Sequence, residues 1–142
     1  MKERLIVEAL QKATIAAVAA SINPALPLKI SGRPFNIPND GKYLEMVYIP
    51  NNITNEFWGN EKTYRGLFRL ILHWGVTYEG IYPPLDLLAS ICSHFVKGAS
   101  FTNGTVSVKI YEQPDMTGLV EGSPETLYPV SIRYMCFDNG KV

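Results

Sequence analysis

Cysteine and histidine are the residues of this chain best suited to covalent or metal chemistry, and the sequence keeps them apart. Cys92 and His94 are two residues apart in a segment of helical periodicity, so their side chains point about 200° apart. His73 lies in a predicted strand and could meet His94 only through the fold. There is no HExxH sequence, no phosphate-binding glycine loop and no cysteine pair at metal-site spacing. We therefore predict no catalytic residue, no metal and no cofactor, and we interpret Cys92 and Cys136 as buried, reduced thiols.

Other polar candidates have simpler structural explanations. Ser123 precedes a proline in a turn-like segment, with no base close in sequence. Tyr64 and Arg65 could bind a phosphate or stack on a base, but an arginine paired across a sheet surface explains them as well. Three carboxylates share the loop 113–126 with glycines and prolines, a pattern typical of a solvated segment and not of a metal site: Asp115, Glu121 and Glu125.

Two large aromatic residues stand out in the polar stretch NNITNEFWGNEKTYRG, residues 51–66. Phe57 and Trp58, next to a glycine, could fold back over the core. They could equally anchor a neighbouring protein, since buried aromatic side chains dominate interface energetics. The residues alone leave both interpretations open, but together with the absence of catalytic motifs they favour a protein whose partners are proteins.

Length and charge narrow the class of protein. The 142 residues fit one domain, 1–142, and 13 basic and 13 acidic side chains give a formal net charge of zero. This balance argues against general nucleic-acid binding and against an electrostatic membrane anchor. No apolar run is long enough to span a bilayer. The first residues carry charges that interrupt the apolar stretch of a secretion signal, so we expect a helix there and a protein that is cytosolic when made.

The elements that must position these residues follow from periodicity. Apolar residues at three- and four-residue steps predict helices, and alternation predicts strands. The predicted buried stripe of the first helix includes Ala16 and Ala20, and Asp86 is expected at the positive end of the second helix. We expect an α+β fold: a single, mostly antiparallel β-sheet with two helices packed on one face, in the order α-β-β-α-β-β. The loops within the two strand pairs have roughly 12–14 residues, which is long for hairpins and typical of functional segments. The predicted elements are a helix over 2–20, strands over 42–50 and 63–74, a helix within 79–98, and strands over 105–112 and 127–137.

The segment TYRGLFRLILHW, 63–74, alternates most clearly. Its even positions are apolar throughout, and its odd positions are mixed, as expected for a sheet covered on one side. The odd positions are Arg65, Leu67, Arg69, Ile71 and His73.

The ordered set of local motifs resembles a known family. The extended PFNIPNDGKYLEMVYIPN precedes a variable loop that ends in YRGLFRLILHWG, and the helix GIYPPLDLLASICSHFVKGASF follows. GTVSVKIYEQP and the closing LYPVSIRYMCF complete the set. In this order they resemble the tail terminator proteins of long-tailed bacteriophages, specifically the small terminator-like family of prophage tail gene clusters. The resemblance runs from the first helix to about Phe137.

The resemblance implies a non-enzymatic α+β subunit of the virion tail, assembled in the cytoplasm of the bacterial host. Such subunits form a six-membered ring on the finished tail tube, stop further addition and present a surface to the head. The expected partners are further copies of the chain, the tail tube protein and a head-completion or connector protein, with no membrane and no direct nucleic-acid contact. Candidate subunit or tube contacts are Phe57, Trp58, Tyr64, Arg65, Met116, Leu119 and Val120.

Two alternatives remain at this point. The chain could be another virion protein with a similar small sheet, either a head–tail joining protein or a tail tube subunit. More remotely, it could be a small hydrolase that uses His73, His94 or Cys92.

Overall fold

The computed structural model describes residues 3–22, 25–30, 33–54, 63–75, 80, 82–104, 106–116 and 125–138. These residues form two α-helices, a 3₁₀ helix and seven strands, so the α+β class is confirmed. In chain order the elements are α1 (Glu3–Ser21), β1 (Leu28–Ile30), β2 (Tyr43–Thr54), β3 (Thr63–Gly75), α2 (Tyr82–Cys92), the 3₁₀ helix η1 (Ser93–Phe95), β4 (Ser100–Asn103), β5 (Val106–Ile110), β6 (Asp115–Met116) and β7 (Glu125–Asp138).

The strands form one mixed sheet in the spatial order β1-β2-β3-β7-β5-β4. β3 pairs with β7 along its whole length, and the other edge of β7 is shared by β5 and β6. Every strand pair in the described part of the sheet is antiparallel except β1–β2, which is parallel. The antiparallel prediction is therefore correct only in part. The predicted order also lacked β1, β4 and β6, since strands of two to four residues are too short to show alternation.

β2 continues past its predicted end at Pro50. The regular pairing with β3 stops at Pro50↔Gly66, shifts register, and resumes at Ile53↔Tyr64. Proline has no N–H to donate, so it interrupts the ladder without ending the strand. The connection between β2 and β3 therefore spans only 55–62, and the long hairpin loop expected there is shorter than predicted.

The core lies between the helices and the face of the sheet formed by even-numbered residues of the long strands. Register places Leu44 beside Leu72 and Leu72 beside Tyr128, all at most 2% exposed. α1 and α2 contact each other, and both add apolar residues to the same cluster. The helix residues buried there are Ile6, Ala9, Leu10, Ala17 and Val18 of α1, and Leu87, Leu88 and Ile91 of α2. Two helices on one face of the sheet were predicted.

Three details of the helices differ from the sequence expectation. Ala16 and Ala20, predicted on the buried stripe of α1, are exposed, and Thr14 is buried instead. The Thr14 hydroxyl donates to the Leu10 carbonyl at 2.8 Å, so its burial leaves that donor satisfied. α2 begins at Tyr82, so Asp86 lies beyond its first turn. That first turn contains no acidic residue.

Gly66, the glycine of the YRG motif, allows two tyrosines to meet across β3. Tyr134 lies opposite Gly66 in the β3–β7 register. A Cβ on Gly66 would lie 2.7 Å from the Tyr134 hydroxyl and 2.8 Å from the Ile49 carbonyl oxygen. Because that space is empty, the Tyr134 ring crosses the strand, stacks on Tyr48 at 5.8 Å and donates to its hydroxyl at 2.7 Å.

Candidate assembly surface

The second face of the sheet carries the odd-numbered side chains of β3, of β7 and of β2 up to Ile49, and we call it the open face. Both described α-helices pack on the opposite face. Apolar residues dominate its centre although they are only partly buried, and Ile49 is 38% exposed. A solvated face of an antiparallel sheet is normally polar, so an apolar one is suited to contact with another protein. The central apolar residues are Val47, Ile49, Leu67, Ile71, Pro129 and Met135.

Arginines form a cluster on the open face. Arg69 and Arg65 lie on β3, opposite Ser131 and Met135 of β7. Arg133 of β7, opposite Leu67, is a diagonal neighbour of both, and diagonal neighbours are about 7–8 Å apart. Lys109 of β5, the partner of Met135, extends the cluster. This side of the sheet therefore combines apolar area with positive charge, a composition that favours acidic protein partners.

The arginines differ in their own surroundings. Arg133 Nη1 lies 3.4 Å from Glu112 Oε2, so its charge has a local counterpart. Arg65 is exposed. Arg69 Nε is buried and has no hydrogen-bond partner within the described part of the chain. Buried polar groups are nearly always hydrogen-bonded, so an unpaired Arg69 Nε is unusual.

At one end of the open face, the side chains of the chain pack against one another. His73 Nε2 and Glu45 Oε1 are 2.9 Å apart, and Lys29 lies 3.9 Å from the same carboxylate. The His73 ring stacks on Tyr43 with centroids 4.1 Å apart, and Phe35 packs on Tyr43 at 5.0 Å. His73 is only 7% exposed, and these contacts give it a structural role.

The residues considered for chemistry are not brought together. His73 lies on the open face, whereas Cys92 ends α2 and His94 lies in η1, both on the helix side, so the sheet separates them. Burial raises the pKa of the Cys92 thiol to about 11, which keeps it protonated and unreactive near neutral pH. Cys136 is fully buried. Among the described residues, no three His, Cys, Asp or Glu side chains are placed to hold a metal ion.

Cys92 lines a cleft of about 180 Å³ between α2 and β6. Met116 contributes to the cleft and is 42% exposed. The other lining residues are Leu85, Leu88, Ala89, Pro114 and Val130. No helix in the described ranges combines the length and apolar character needed to cross a membrane.

The predicted contact residues fall into three groups. Phe57, Trp58, Leu119 and Val120 lie outside the described residues, and their roles stay predictions. Arg65 and Met116 are exposed, on the open face and on β6. Tyr64 is 6% exposed and belongs to the core cluster, so within one protomer its ring packs inwards.

Sequence reasoning passed over Arg69, Arg133 and Ile49 as contact residues. Their signal was present, because all three occupy odd positions, Ile49 in β2, Arg69 in β3 and Arg133 in β7. Only the strand pairing shows that these positions share one face.

Comparisons with known proteins agree with this architecture. A family model described as phage tail terminator protein matches residues 5–134. No curated protein matches the chain. A solved structure whose name states no function superposes with a TM-score of 0.80 at 23% identity, over 96% of each chain. At this identity the likeness shows the fold alone.

Proposed function

The chain belongs to the phage tail terminator family, and from this premise we propose that it forms a ring on the end of the tail tube, stops further addition of tube subunits and offers the surface to which the head is joined. The match over residues 5–134 supports the tail role. The observation that carries the assembly role is the open face, which is apolar, rich in arginine and uncovered by either described α-helix.

A closed ring requires a head-to-tail contact between two different surfaces of the same chain. The open face is one such surface, because its side chains are held by three long strands and are in place before a partner arrives. Arginine among apolar residues is typical of interface centres. We propose six copies per ring, with the tail tube protein on one ring surface and a head-completion protein on the other.

We further propose that the role is structural and not catalytic. The sheet lies between His73 and the Cys92–His94 segment, and Cys92 is held as a thiol. A triple replacement of Cys92, His73 and His94 that leaves tail capping intact would remove the hydrolase alternative.

The test of the proposed function is tail length in particles made with this gene inactivated, measured by electron microscopy. Overlong tubes of irregular length without heads support termination. Tails of normal length without heads would assign the chain to head joining, and an absence of tubes would assign it to the tube or its initiation. Adding back the purified chain should cap the overlong tubes and restore joining to heads.

The aromatic pair Phe57 and Trp58 gives a second test. The double change Phe57→Ala with Trp58→Ala should leave a folded protein that no longer caps tubes. A double change of exposed apolar residues elsewhere, Ile15→Ala with Val96→Ala, serves as the matched control and should cap normally. Unfolding of the first variant would place the aromatic pair in the core and overturn the assembly role of this segment.

A further inference from the structure

We propose that Asp86, on the outer side of α2, pairs with Arg69 on the open face of the next subunit in the ring. The inference rests on the proposed function, because it assigns a specific contact to the ring that the function requires. It identifies the occupant of the open face as a second copy of this chain.

Arg69 supplies the donor half of the contact. Three of its neighbours on the open face are apolar, Leu67 and Ile71 along β3 and Val47 on β2, and Ser131 lies opposite it on β7. Its Nε is buried without a hydrogen-bond acceptor in the described residues. A guanidinium stays charged at any physiological pH, and its planar fork binds a carboxylate through two parallel hydrogen bonds. A carboxylate is therefore the partner best suited to this guanidinium.

The described carboxylates near the open face do not meet this need. Glu45 is held by His73 and Lys29, and Glu112 lies against Arg133. Asp115 pairs in register with Ser131, which places it two strands from Arg69, and it is exposed. Each of them also sits on or beside the same face as Arg69, whereas a head-to-tail contact brings its partner from a different surface.

Asp86 is a carboxylate without a local counter-charge, and it lies on a different surface from Arg69. It is exposed, and no basic residue stands three or four positions before or after it on α2 to neutralise it. Tyr82, one helical turn earlier on the same side, is 74% exposed and can serve as an aromatic anchor next to the charge. α2 buries Leu88 and Ile91 towards the sheet, so the Tyr82–Asp86 side points away from it.

The surface around Arg69 and the Tyr82–Asp86 side of α2, the two patches of the proposed contact, therefore lie on opposite sides of the molecule. Successive subunits can contact each other through them in the same direction around a ring, which a single self-complementary patch cannot do. The two charges are opposite in sign, and Arg69 is half-buried among apolar residues. In the assembled ring the pair would be desolvated, and such an interfacial ion pair is sensitive to loss of one partner.

The contact makes an unusual prediction for mixed rings. Arg69→Asp alone sets two carboxylates against each other at every contact, and Asp86→Arg alone sets two guanidinium groups against each other. In a ring in which the two variants alternate, each contact joins Asp to Arg. An even-numbered ring can alternate throughout, so an equimolar mixture should recover what each variant lacks.

The experiment uses overlong tubes from particles made without this gene, capped by added full-length protein and scored by electron microscopy. Wild-type protein should cap, each single variant should cap at least tenfold less, and the mixture should return to within about threefold of wild type. The double variant Arg69→Asp, Asp86→Arg should also recover. Lys97→Asp, an exposed charge change away from both patches, is the control and should cap normally.

The outcomes separate the inference from the function on which it rests. If wild-type protein does not cap the tubes, the proposed function fails. If wild-type protein caps and Asp86→Arg caps equally well, the pair is wrong while the function stands. Loss in both single variants without recovery in the mixture or the double variant also overturns the pair. Asp86 is exposed, so Asp86→Arg stays informative even if Arg69→Asp fails to fold, which circular dichroism checks.

Discussion

At the scale of single residues, Gly66 determines how β2, β3 and β7 are joined. The absence of a Cβ lets Tyr134 cross over β3 to reach Tyr48. Glycine in a strand normally lowers stability, so its presence here is explained by the close approach of a side chain and a backbone carbonyl. The tyrosine pair then fixes the lateral order of three strands on the core side.

We predict that Gly66→Ala lowers the free energy of unfolding by about 1–3 kcal/mol, the cost of overpacking a filled site. This exceeds the roughly 0.5–1 kcal/mol that alanine gains over glycine in an element interior. Urea unfolding followed by circular dichroism measures the change. The cost should shrink in a Tyr134→Phe background, which removes the oxygen 2.7 Å from the new Cβ. An unchanged or increased stability of Gly66→Ala would show that the tyrosines do not need this space.

Cys92 provides a prediction for pH. Its pKa is raised by burial from 9.0 to about 11, so the folded state keeps the proton when the unfolded chain has lost it. The stability contributed by this thiol is complete below pH 9 and is lost as pH rises to about 11. Relative to Cys92→Ala, wild-type protein should lose on the order of 1–2 kcal/mol of unfolding free energy across that range. A difference between the two proteins that stays constant up to pH 11 would mean that the thiol ionises freely in the native cleft.

At the scale of elements, short edge strands hold the helices in place. β4 contacts α1, and Asn103 at its end donates through Nδ2 to the Leu5 carbonyl at 2.9 Å and to Glu8 Oε2 at 3.4 Å. Hydrogen bonds from Arg4 and then from Asn103 hold the pKa of Glu8 below its usual value. The first turns of α1 are thereby tied to the edge of the sheet, which orients the helix across the core.

We predict that Asn103→Ala lowers the free energy of unfolding by about 1–2 kcal/mol, because the Leu5 carbonyl and Glu8 lose a donor at a partly buried site. Thr102→Ala changes an exposed neighbour on the same strand and should stay within about 0.5 kcal/mol of wild type. Chemical denaturation of both variants provides the measurement. Equal effects of the two changes would show that the contact contributes nothing to the docking of α1.

At the scale of the whole molecule, the sheet divides the protein into two sides with different roles. The even-numbered side is filled by α1 and α2, while the open face keeps its apolar centre and its arginines outwards. In the function that we propose, stability and assembly depend on alternating residues of the same strands. Changes on the open face should affect partner contacts with little effect on folding.

We predict that Ile49→Glu leaves the protein folded and abolishes capping of tail tubes, because it places a charge in the apolar centre of the open face. Ile15→Glu, on the exposed side of α1, is the matched control and should retain capping. Ile49 is 38% and Ile15 53% exposed, so neither change should cost much stability. Capping is scored by tail length and folding by thermal unfolding. Normal capping by Ile49→Glu would exclude this part of the face from assembly.

The sequence by itself determined the long elements of this protein and the faces that they bury. The alternation of TYRGLFRLILHW specified β3 and its two faces, and the helices were located by apolar spacing and by proline, because these signals are local and repeat over many residues. The ordered motifs also pointed to the tail terminator family, which the match over 5–134 established.

Only the tertiary structure determined which residues pair across neighbouring strands. The short strands β1, β4 and β6 form because neighbouring strands offer backbone hydrogen-bond partners. A segment of two to four residues is too short for its alternation to predict this pairing. The arginine cluster needs residues 65, 69 and 133 to share one face, which depends on the register between strands about sixty residues apart in sequence. Tyr64, a candidate contact residue, lies instead on the buried even face that the alternation itself specified, while Arg65 beside it faces out.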